Sequence, residues 1–167
     1  LGTITGASKF NQVVFQSQSG NASDVTLEFE ATGTDNNYLV RLDACQYVRF
    51  TDLTFHATGY GRVFELLGSS GFIGISGCTL TGNYQTGAST NAALIFSNDQ
   101  HPEYINITGN QFSDCGYGIY IAGTLDGIPG VNIAGNTFSN SGYTSIYLSR
   151  MLHPKVTLND ILDGYIG

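Results

Sequence analysis

The sequence predicts an all-β protein, a right-handed parallel β-helix of about six coils with roughly 25 residues in each. Three observations predict this fold: an apolar motif that recurs along the chain, an alternating segment that follows most copies of it, and a composition rich in glycine but poor in charge. A unit of this length cannot bury an apolar face alone, so successive units must stack on one another. The handedness follows from the strong preference of strand–crossover–strand connections for the right-handed form.

The recurring motif supplies the first strand of each coil. It reads apolar, any, apolar, any, Gly, Asn or Cys, any, apolar, and it occurs as FIGISGCTL (72–80), YINITGNQF (104–112) and VNIAGNTF (131–138). YVRFTDLTF fits with Asp52 at the glycine position, KVTLNDIL fits its first half with Asp160 there, and VTLEF is an earlier copy. The predicted first apolar positions are 23 to 32 residues apart, at Val25, Val48, Ile73, Ile105, Val131 and Val156.

A second strand is predicted after most copies of the motif, because these segments alternate apolar residues with others. The segments are 38–43, 62–67, 92–97, 117–122 and 144–149. One inward series is predicted to contain Val40, Phe64, Leu94, Ile119 and Ile146. The other contains Leu42, Leu66, Phe96, Ile121 and Leu148. The outward column between them is predicted to contain Arg41, Glu65, Ile95, Tyr120 and Tyr147.

Stacking of the coils predicts columns of equivalent side chains. The stack at the end of the motif should be buried and should contain Phe55, Leu80, Phe112 and Phe138. Asn110 and Asn136 should lie one above the other at a bend, where an inward amide can hydrogen-bond backbone groups that no strand pairing reaches. The residues before them are glycines in three copies, which fits a bend with positive φ.

The composition excludes several classes of protein. Charged residues make up 11% of the 167 residues, against about 25% in typical domains, and there are 10 Tyr and 10 Phe. Sparse charge with many aromatic residues excludes a disordered chain. No apolar run approaches the ~18 residues of a membrane span. A net charge of −7 argues against a nucleic acid as partner, because a phosphate backbone requires a basic face.

Two parts of the sequence resemble known β-helix regions. Residues 4–29 and 37–59 resemble the right-handed parallel β-helix regions of large bacterial surface proteins exported by type IX secretion. Residues 105–121 and 131–148 are similar to the pectate-lyase-like repeat. The resemblance implies that residues 1–167 are a single β-helix segment of a longer chain that is secreted or displayed on a bacterial cell surface, with flanking domains as partners. It does not specify an activity, because this repeat serves lyases, hydrolases, adhesins and spacers alike.

Support for catalysis is weak. A polysaccharide hydrolase needs paired carboxylates on adjacent coils, and a lyase needs acidic calcium ligands near a base. The outward positions of the motif contain no acidic cluster. The catalytic candidates are Arg41, Asp43 and Glu65. Arg41 and Glu65 are predicted to be neighbours across one coil, either as a base beside an acid or, preferably, as a surface ion pair worth under about 1 kcal/mol.

No metal site and no cofactor are predicted. The three histidines share no spacing, and Cys45, Cys78 and Cys115 are an odd number without a CxxC pattern. The cysteines are therefore interpreted as small buried residues or free thiols.

The best candidate for ligand binding is a patch of tyrosines from two consecutive coils, Tyr117, Tyr120, Tyr143 and Tyr147. Aromatic faces stack on sugar rings, and tyrosine hydroxyls supply hydrogen bonds. The alternative is a ladder of rings that stabilises neighbouring strands, and the sequence alone favours this alternative. The longest insertion, residues 81–91, is either part of a binding face or an ordinary loop.

Three functions are compatible with these observations. The leading hypothesis is a non-enzymatic structural or adhesive segment that binds polysaccharide or other surface proteins. The alternative is a carbohydrate-active enzyme, a polysaccharide lyase or glycoside hydrolase, whose active face is partly outside this segment. A third is a partner module of a larger secretion or motility assembly. We also expect the open ends of the stack to promote association, because they expose strand edges and apolar faces.

Overall fold

The computed structural model describes residues 1–59 and 61–163. Within these residues the chain forms strands of 2 to 13 residues and two single-turn 3₁₀ helices, Ala22–Asp24 and Thr90–Ala92. The strands are β1 Val13–Gln16, β2 Thr26–Ala31, β3 Tyr38–Asp43, β4 Val48–Thr51, β5 Thr54–Gly59, β6 Arg62–Leu67, β7 Gly74–Ser76, β8 Thr79–Thr81, β9 Ala93–Gln100, β10 Asn106–Thr108, β11 Gln111–Gly123, β12 Ile128–Pro129, β13 Asn132–Ala134, β14 Thr137–Ser149, β15 Met151–Leu152, β16 Lys155–Thr157 and β17 Asp160–Ile161.

One sheet, which we call the first sheet, contains the first strand of every rung. Its order is β1-β4-β7-β10-β13-β16, and every pair in it is parallel. Its inward residues lie directly above one another, as Phe50 does above Ile75 and Ile107 above Ile133. Six rungs joined by five turns therefore form a β-solenoid, and the predicted fold class is confirmed.

The second sheet forms the other long side of the solenoid. Its strands belong to two parallel stacks, β2-β5-β8 and β3-β6-β9. The stacks merge in β11, whose first residues pair with β8 and whose last residues pair with β9. β11 pairs along its length with β14, with a register irregularity between Cys115 and Tyr117, and β14 pairs with β17. A third, short pair joins β12 to β15.

The core lies between the sheets and is a single apolar cluster along the solenoid. The predicted column is confirmed by the strand register, since Phe55 lies beside Leu80, Leu80 beside Phe112 and Phe112 beside Phe138. The rings of Phe112 and Phe138 stack with their centroids 4.6 Å apart and an interplanar angle of 11°. Each of the four side chains is at most 1% exposed, so this column is part of the hydrophobic core.

The asparagine column is also confirmed, and it is one rung longer than predicted. The Asn110 side-chain amide donates to Asn136 Oδ1 at 2.9 Å, and that of Asn136 donates to Asn159 Oδ1 at 2.9 Å. The three asparagines share their corner position with one residue in each of two earlier rungs. In all five rungs the residue just before this position has a positive φ, between 52° and 65°. These residues are Asp52, Gly77, Gly109, Gly135 and Leu158.

For two copies of the motif the predicted position in the rung is wrong. Val25 does not begin the first strand of a rung. Its segment pairs with β5 in the second sheet, and the first-sheet strand of that rung begins at Val13. In the last rung Val156 lies beside Ile133, not Val131, so Leu158 and not Asp160 occupies the glycine position. In the last rung the physical reason is that Leu158, not a glycine, occupies the positive-φ corner that marks the register. The segment at Val25 shows the same alternation as a first strand but leads into β2 of the second sheet, and alternation alone does not distinguish the two sheets.

The predicted register of β9 is wrong by one residue. Ile95, not Leu94, lies beside Phe64 and Ile119, and Ser97, not Phe96, lies beside Ile121. Phe96 therefore belongs to the outward column in place of Ile95. The apolar run Ala93–Phe96 has no alternation that fixes which residues face inward, because Leu94 is also fully buried.

Candidate functional site

The four predicted tyrosines lie together on β11 and β14, and Phe96 of β9 extends the group. We call these five residues the tyrosine surface. Three of the rings form a ladder along the solenoid axis, with centroids of Phe96 and Tyr120 5.5 Å apart and those of Tyr120 and Tyr147 4.7 Å apart. Tyr117 packs edge-on against Tyr120 and Tyr143, at 5.1 Å and 5.2 Å. The surface thus combines a ladder of parallel rings with two tyrosines that lie outside it.

Burial differs within the tyrosine surface. Tyr117 is 5% exposed, whereas Tyr143 is 41% exposed. Burial raises the pKa of Tyr117 and of Tyr120, with neighbouring tyrosines adding to the effect for both and Asp99 for Tyr120. The Tyr120 hydroxyl donates a hydrogen bond to Asn98 Oδ1 at 3.4 Å. Tyr143 is therefore the ring most accessible to a ligand, and Tyr117 supports the others from beneath.

The insertion at residues 81–91 borders this surface and packs on it. A Cβ at Gly142 would lie 2.3 Å from the Gln85 carbonyl oxygen and 2.9 Å from the Tyr84 ring, so only glycine allows this approach. At the other end of the insertion, Arg62 Nε donates to the Thr90 carbonyl at 3.0 Å. The insertion is thus held against neighbouring rungs at both ends.

Two of the catalytic candidates, Arg41 and Glu65, lie in the outward column that continues into Phe96 of the tyrosine surface. Glu65 accepts a hydrogen bond from Arg62 Nη1 at 2.5 Å and forms an ion pair with Arg41, whose Nε lies 3.2 Å from Glu65 Oε2. The predicted neighbours are thus confirmed, and a second arginine joins them. Arg62 also lies over the Phe96 ring, with its Cζ 3.5 Å from the centroid. Asp43 lies two residues beyond Arg41 on β3 and is exposed. Both oxygens of Glu65 are engaged by guanidinium groups, so this arrangement is that of a partly buried structural ion pair.

The two arginines differ in environment. Burial lowers the pKa of Arg62 despite its contact with Glu65. The pKa of Arg41 is raised, mainly by a hydrogen bond with Tyr38 and further by Glu65. Arg62 and Glu65 side chains are each 10% exposed. Loss of Glu65 would leave the Arg62 charge without a counter-charge in a region with little water, and loss of Arg62 would leave Glu65 with Arg41 alone.

A concave region with a volume of about 530 Å³ lies away from the tyrosine surface. It is bounded by residues 20–23 and by the corner of Gly77 and Gly109. Asp52 is the carboxylate in its lining, and no second acid faces it there. The lining of this region therefore does not supply a pair of catalytic carboxylates.

Sequence analysis did not identify a second exposed aromatic ladder, formed by Tyr47, Phe72 and Tyr104. Neighbouring rings stack with centroids 4.7 Å apart and interplanar angles of 8° and 12°. Each ring comes immediately before the inward residue that begins a first-sheet rung, as Phe72 precedes Ile73. The recurrence of an aromatic residue directly before Val48, Ile73 and Ile105 is the signal that could have revealed it.

The architecture shows that the chain is a parallel β-helix protein. The outward columns of this β-helix present aromatic and polar side chains. A family model described as periplasmic copper-binding protein (NosD) matches residues 3–167, and the chain belongs to this family. No curated protein and no solved structure matches the chain. The described residues include no helix with the length and apolar character needed to cross a membrane.

The residues of this chain do not fit a copper site. Copper in proteins is bound by imidazole, thiolate and thioether groups that converge on one point. No three His, Cys, Asp or Glu side chains converge in this way within residues 1–59 and 61–163. These ranges contain every cysteine and histidine of the sequence: Cys45, Cys78, Cys115, His56, His101 and His153.

The cysteines are buried and free, in agreement with their predicted role as small core residues. They lie on different rungs, and burial raises the pKa of each thiol, that of Cys115 to about 12. A thiol held in its neutral form is a poor metal ligand, because the thiolate is the form that binds. The three cysteines therefore do not supply a set of copper ligands.

Proposed function

We propose that this chain is a non-enzymatic β-helix segment of an exported bacterial protein and that it binds polysaccharide through the tyrosine surface. The observation that carries the proposal is the exposure of Tyr143 beside a rigid aromatic ladder and hydroxyl groups. Ring faces and hydroxyls are the groups that recognise the apolar faces and hydroxyls of sugars. Preorganised rings lose little conformational freedom when a ligand binds.

The geometry divides the surface into supporting rings and rings available to a ligand. Phe96, Tyr120 and Tyr147 use ring faces to stack on one another, which is the stabilising ladder that the sequence offered as the alternative. Tyr143 lies outside this ladder and contacts Tyr117 edge-on at 5.2 Å. Its ring is therefore free to stack on a sugar without breaking the ladder.

The non-enzymatic part of the proposal is supported by the state of Glu65. A glycosidase uses two carboxylates that flank the bond to be cleaved, one as an acid and one as a base or nucleophile. Glu65 is engaged by two guanidinium groups, and Asp43 is an exposed residue on the neighbouring strand. The alternative, an enzyme with its active face partly outside this segment, predicts cleavage of polysaccharides that decreases in Glu65→Gln.

An exported location is supported by the description of the family as periplasmic. Display on the cell surface and type IX export remain part of the proposal. Fractionation of cells that express the full-length parent protein tests them, because a cell-surface protein is removed by external protease and a periplasmic one is protected by the outer membrane.

The binding test uses neutral oligosaccharides and matched tyrosine variants. We expect Tyr143→Ala to weaken glycan binding by at least about tenfold with a small change in melting temperature, since this ring is half exposed. Tyr120→Ala should lower the melting temperature more, because it removes the centre of the ladder. Phe10→Ala, which removes an 89% exposed ring outside both aromatic ladders, is the control. Unchanged binding in Tyr143→Ala, or cleavage of any glycan by the chain, would reject the proposal in its stated form.

A further inference from the structure

Over its last five rungs, from β4 to β16, the outward face of the first sheet presents three parallel columns, and we call this part the first-sheet face. The β1 rung continues the central column with Val14, which lies beside Arg49. The outer column contains the aromatic ladder Tyr47, Phe72 and Tyr104, followed by Gly130 and His153. The central column contains Arg49, Gly74, Asn106, Asn132 and Lys155, which lie beside one another in register. The third contains Thr51, Ser76, Thr108, Ala134 and Thr157. These fifteen positions include no carboxylate, although the chain has a net charge of −7.

The aromatic ladder is held in an unfavourable backbone conformation. Tyr47, Phe72 and Tyr104 have φ values of 59°, 54° and 52°, a region that bulky residues rarely occupy. Gly130 holds the equivalent position one rung later with φ of 71°, so the corner accepts glycine. Three aromatic residues at strained positions that suit glycine point to a function for their rings beyond folding. The rings are also accessible, since Phe72 and Tyr104 are 38% and 47% exposed.

Positive charge is concentrated at the two ends of the central column. The chain has six Lys and Arg residues, and three of them, Arg41, Arg62 and Arg150, form ion pairs with carboxylates. Arg49 and Lys155 are both exposed, and neither has an ion-pair partner in the described part of the chain. Four steps of ~4.8 Å separate their rungs, or ~19 Å along the axis. The face therefore carries free cations at both ends and amide groups between them.

Two grooves on this face lie next to these cations. One, of about 180 Å³, is lined by residues that include Arg49, Phe72, Gly74 and Asn106. The other, of about 310 Å³, is lined by Gly130, Val131, Asn132, His153 and Lys155. Each groove thus combines a cation, an amide side chain and a glycine that leaves space.

The glycines are required for this shape. A Cβ at Gly74 would lie 3.1 Å from Arg49 Cγ, so the arginine stem crosses the strand where the side chain is missing. A Cβ at Gly130 would lie 2.4 Å from Tyr104 Cδ1, so the last ring of the ladder leans over this position. Glycine at both places keeps the grooves open beside the aromatic rings.

We propose that the first-sheet face is a second binding site, independent of the tyrosine surface, for a linear anionic glycan that lies along the solenoid axis. Its acid groups pair with Arg49 and Lys155, its hydroxyls bond to the Asn and Thr columns, and its rings contact the ladder at Tyr104. Carboxylated and sulfated glycans share this chemistry. A neutral glycan lacks the charges that match the two cations, and it should bind here less tightly.

The test measures binding of the intact chain to polygalacturonate, which is carboxylated, to heparin, which is sulfated, and to a neutral glucan. We expect binding to at least one of the two polyanions and a loss of affinity as salt rises from 50 to 300 mM, because the attraction is between charges. The polyanion that binds more tightly identifies the type of acid group. The variant Arg49→Gln with Lys155→Gln should weaken this binding by about tenfold or more.

The matched control is Lys9→Gln with Arg150→Gln, which changes the net charge by the same amount on other parts of the surface. It should change affinity by less than about twofold. Gly74→Val tests the groove without a change in charge, since it displaces Arg49, and its melting temperature verifies that it folds. Failure of both polyanions to bind, or an equal loss in the two double variants, would overturn the proposal. The neutral-glycan test of Tyr143 is separate, so either site can fail while the other stands.

Discussion

Asn110 and Asn136 lie one rung apart at the same corner, and the Asn136 side chain serves both as acceptor and as donor. Its Oδ1 accepts from the Asn110 backbone N–H and from the Asn110 amide, each at 2.9 Å. Its Nδ2 donates to the Ile107 carbonyl at 3.0 Å. The column thereby satisfies buried backbone groups at the bend, where no strand partner is available.

Asn136→Ala should destabilise the chain by about 3 kcal/mol, because it leaves the buried Asn110 N–H and the Ile107 carbonyl without partners. Urea unfolding followed by circular dichroism measures the change. Asn106→Ala, which removes an exposed amide from the first sheet, should cost only about 0.5 kcal/mol. Equal effects of the two substitutions would show that the corner column does not contribute in the way described.

Arg62 should be more important for stability than Arg41, although both contact Glu65. Arg62→Ala leaves a buried carboxylate with one exposed partner and removes the bond to the Thr90 carbonyl, so we expect a loss of about 3 kcal/mol. Arg41→Ala should cost under about 1 kcal/mol, because Arg41 is 43% exposed. Hydrogen exchange should also become faster at residues 90–92 in Arg62→Ala alone. If exchange there is unchanged, Arg62 does not anchor the insertion.

Stability should fall as the pH rises above about 9. Burial raises the pKa of Cys115 from 9.0 to about 12, and it raises those of Cys45 and Cys78 in the same direction. In this range the unfolded chain loses thiol protons that the folded chain retains, so the unfolded state is favoured by up to about 1.4 kcal/mol per pH unit for one thiol. Melting temperatures from pH 7 to 11 measure the effect. Cys115→Ala should reduce the slope above pH 9, and an unchanged slope would contradict the prediction.

Copper should not bind to this chain in a defined stoichiometry. The donor side chains do not converge, and the thiols are buried in neutral form, so neither Cu(I) nor Cu(II) should raise the melting temperature. Equilibrium dialysis of the reduced protein with metal analysis measures binding. One tightly held copper per chain, lost in Cys78→Ala or His153→Ala, would contradict this expectation and identify the ligand.

The first and last rungs should make the isolated chain associate. Inward residues of these rungs remain accessible, with Phe15 40%, Phe29 39% and Val156 39% exposed. We expect the apparent mass in sedimentation velocity to rise with concentration, and Phe29→Gln to reduce this rise. Leu125→Gln, at a loop position that is 90% exposed, is the control. A monomer at all concentrations would show that these surfaces are too small to drive association.

The parts of the fold that were predictable are those marked by periodic side chains. Phe112 and Phe138 repeat 26 residues apart with the same preceding pattern, so their stacking followed from the repeat itself. The register of β9 could not be predicted, because Leu94, Ile95 and Phe96 are apolar in succession. Without alternation, the sequence does not show which of these residues face inward. The last rung was misaligned because Leu158 adopts a positive φ that glycine usually marks.

The candidate sites were predictable to different degrees. The grouping of Tyr120 with Tyr147 required only the strand register, whereas the contribution of Arg62 required the third dimension, since its side chain reaches across to Phe96 and to the insertion. The ladder of Tyr47, Phe72 and Tyr104 was overlooked because its residues occupy a corner, outside the alternation of either strand.

The pairing of parallel strands between rungs also determines how the molecule would respond to mechanical load. Their hydrogen bonds run along the solenoid axis, so tension applied between its two ends would act on successive rung interfaces in series. Each rung contacts only its neighbours, and rupture would therefore begin at the weakest interface regardless of how many rungs are present. Added rungs would therefore lengthen the solenoid without raising the force at which it ruptures.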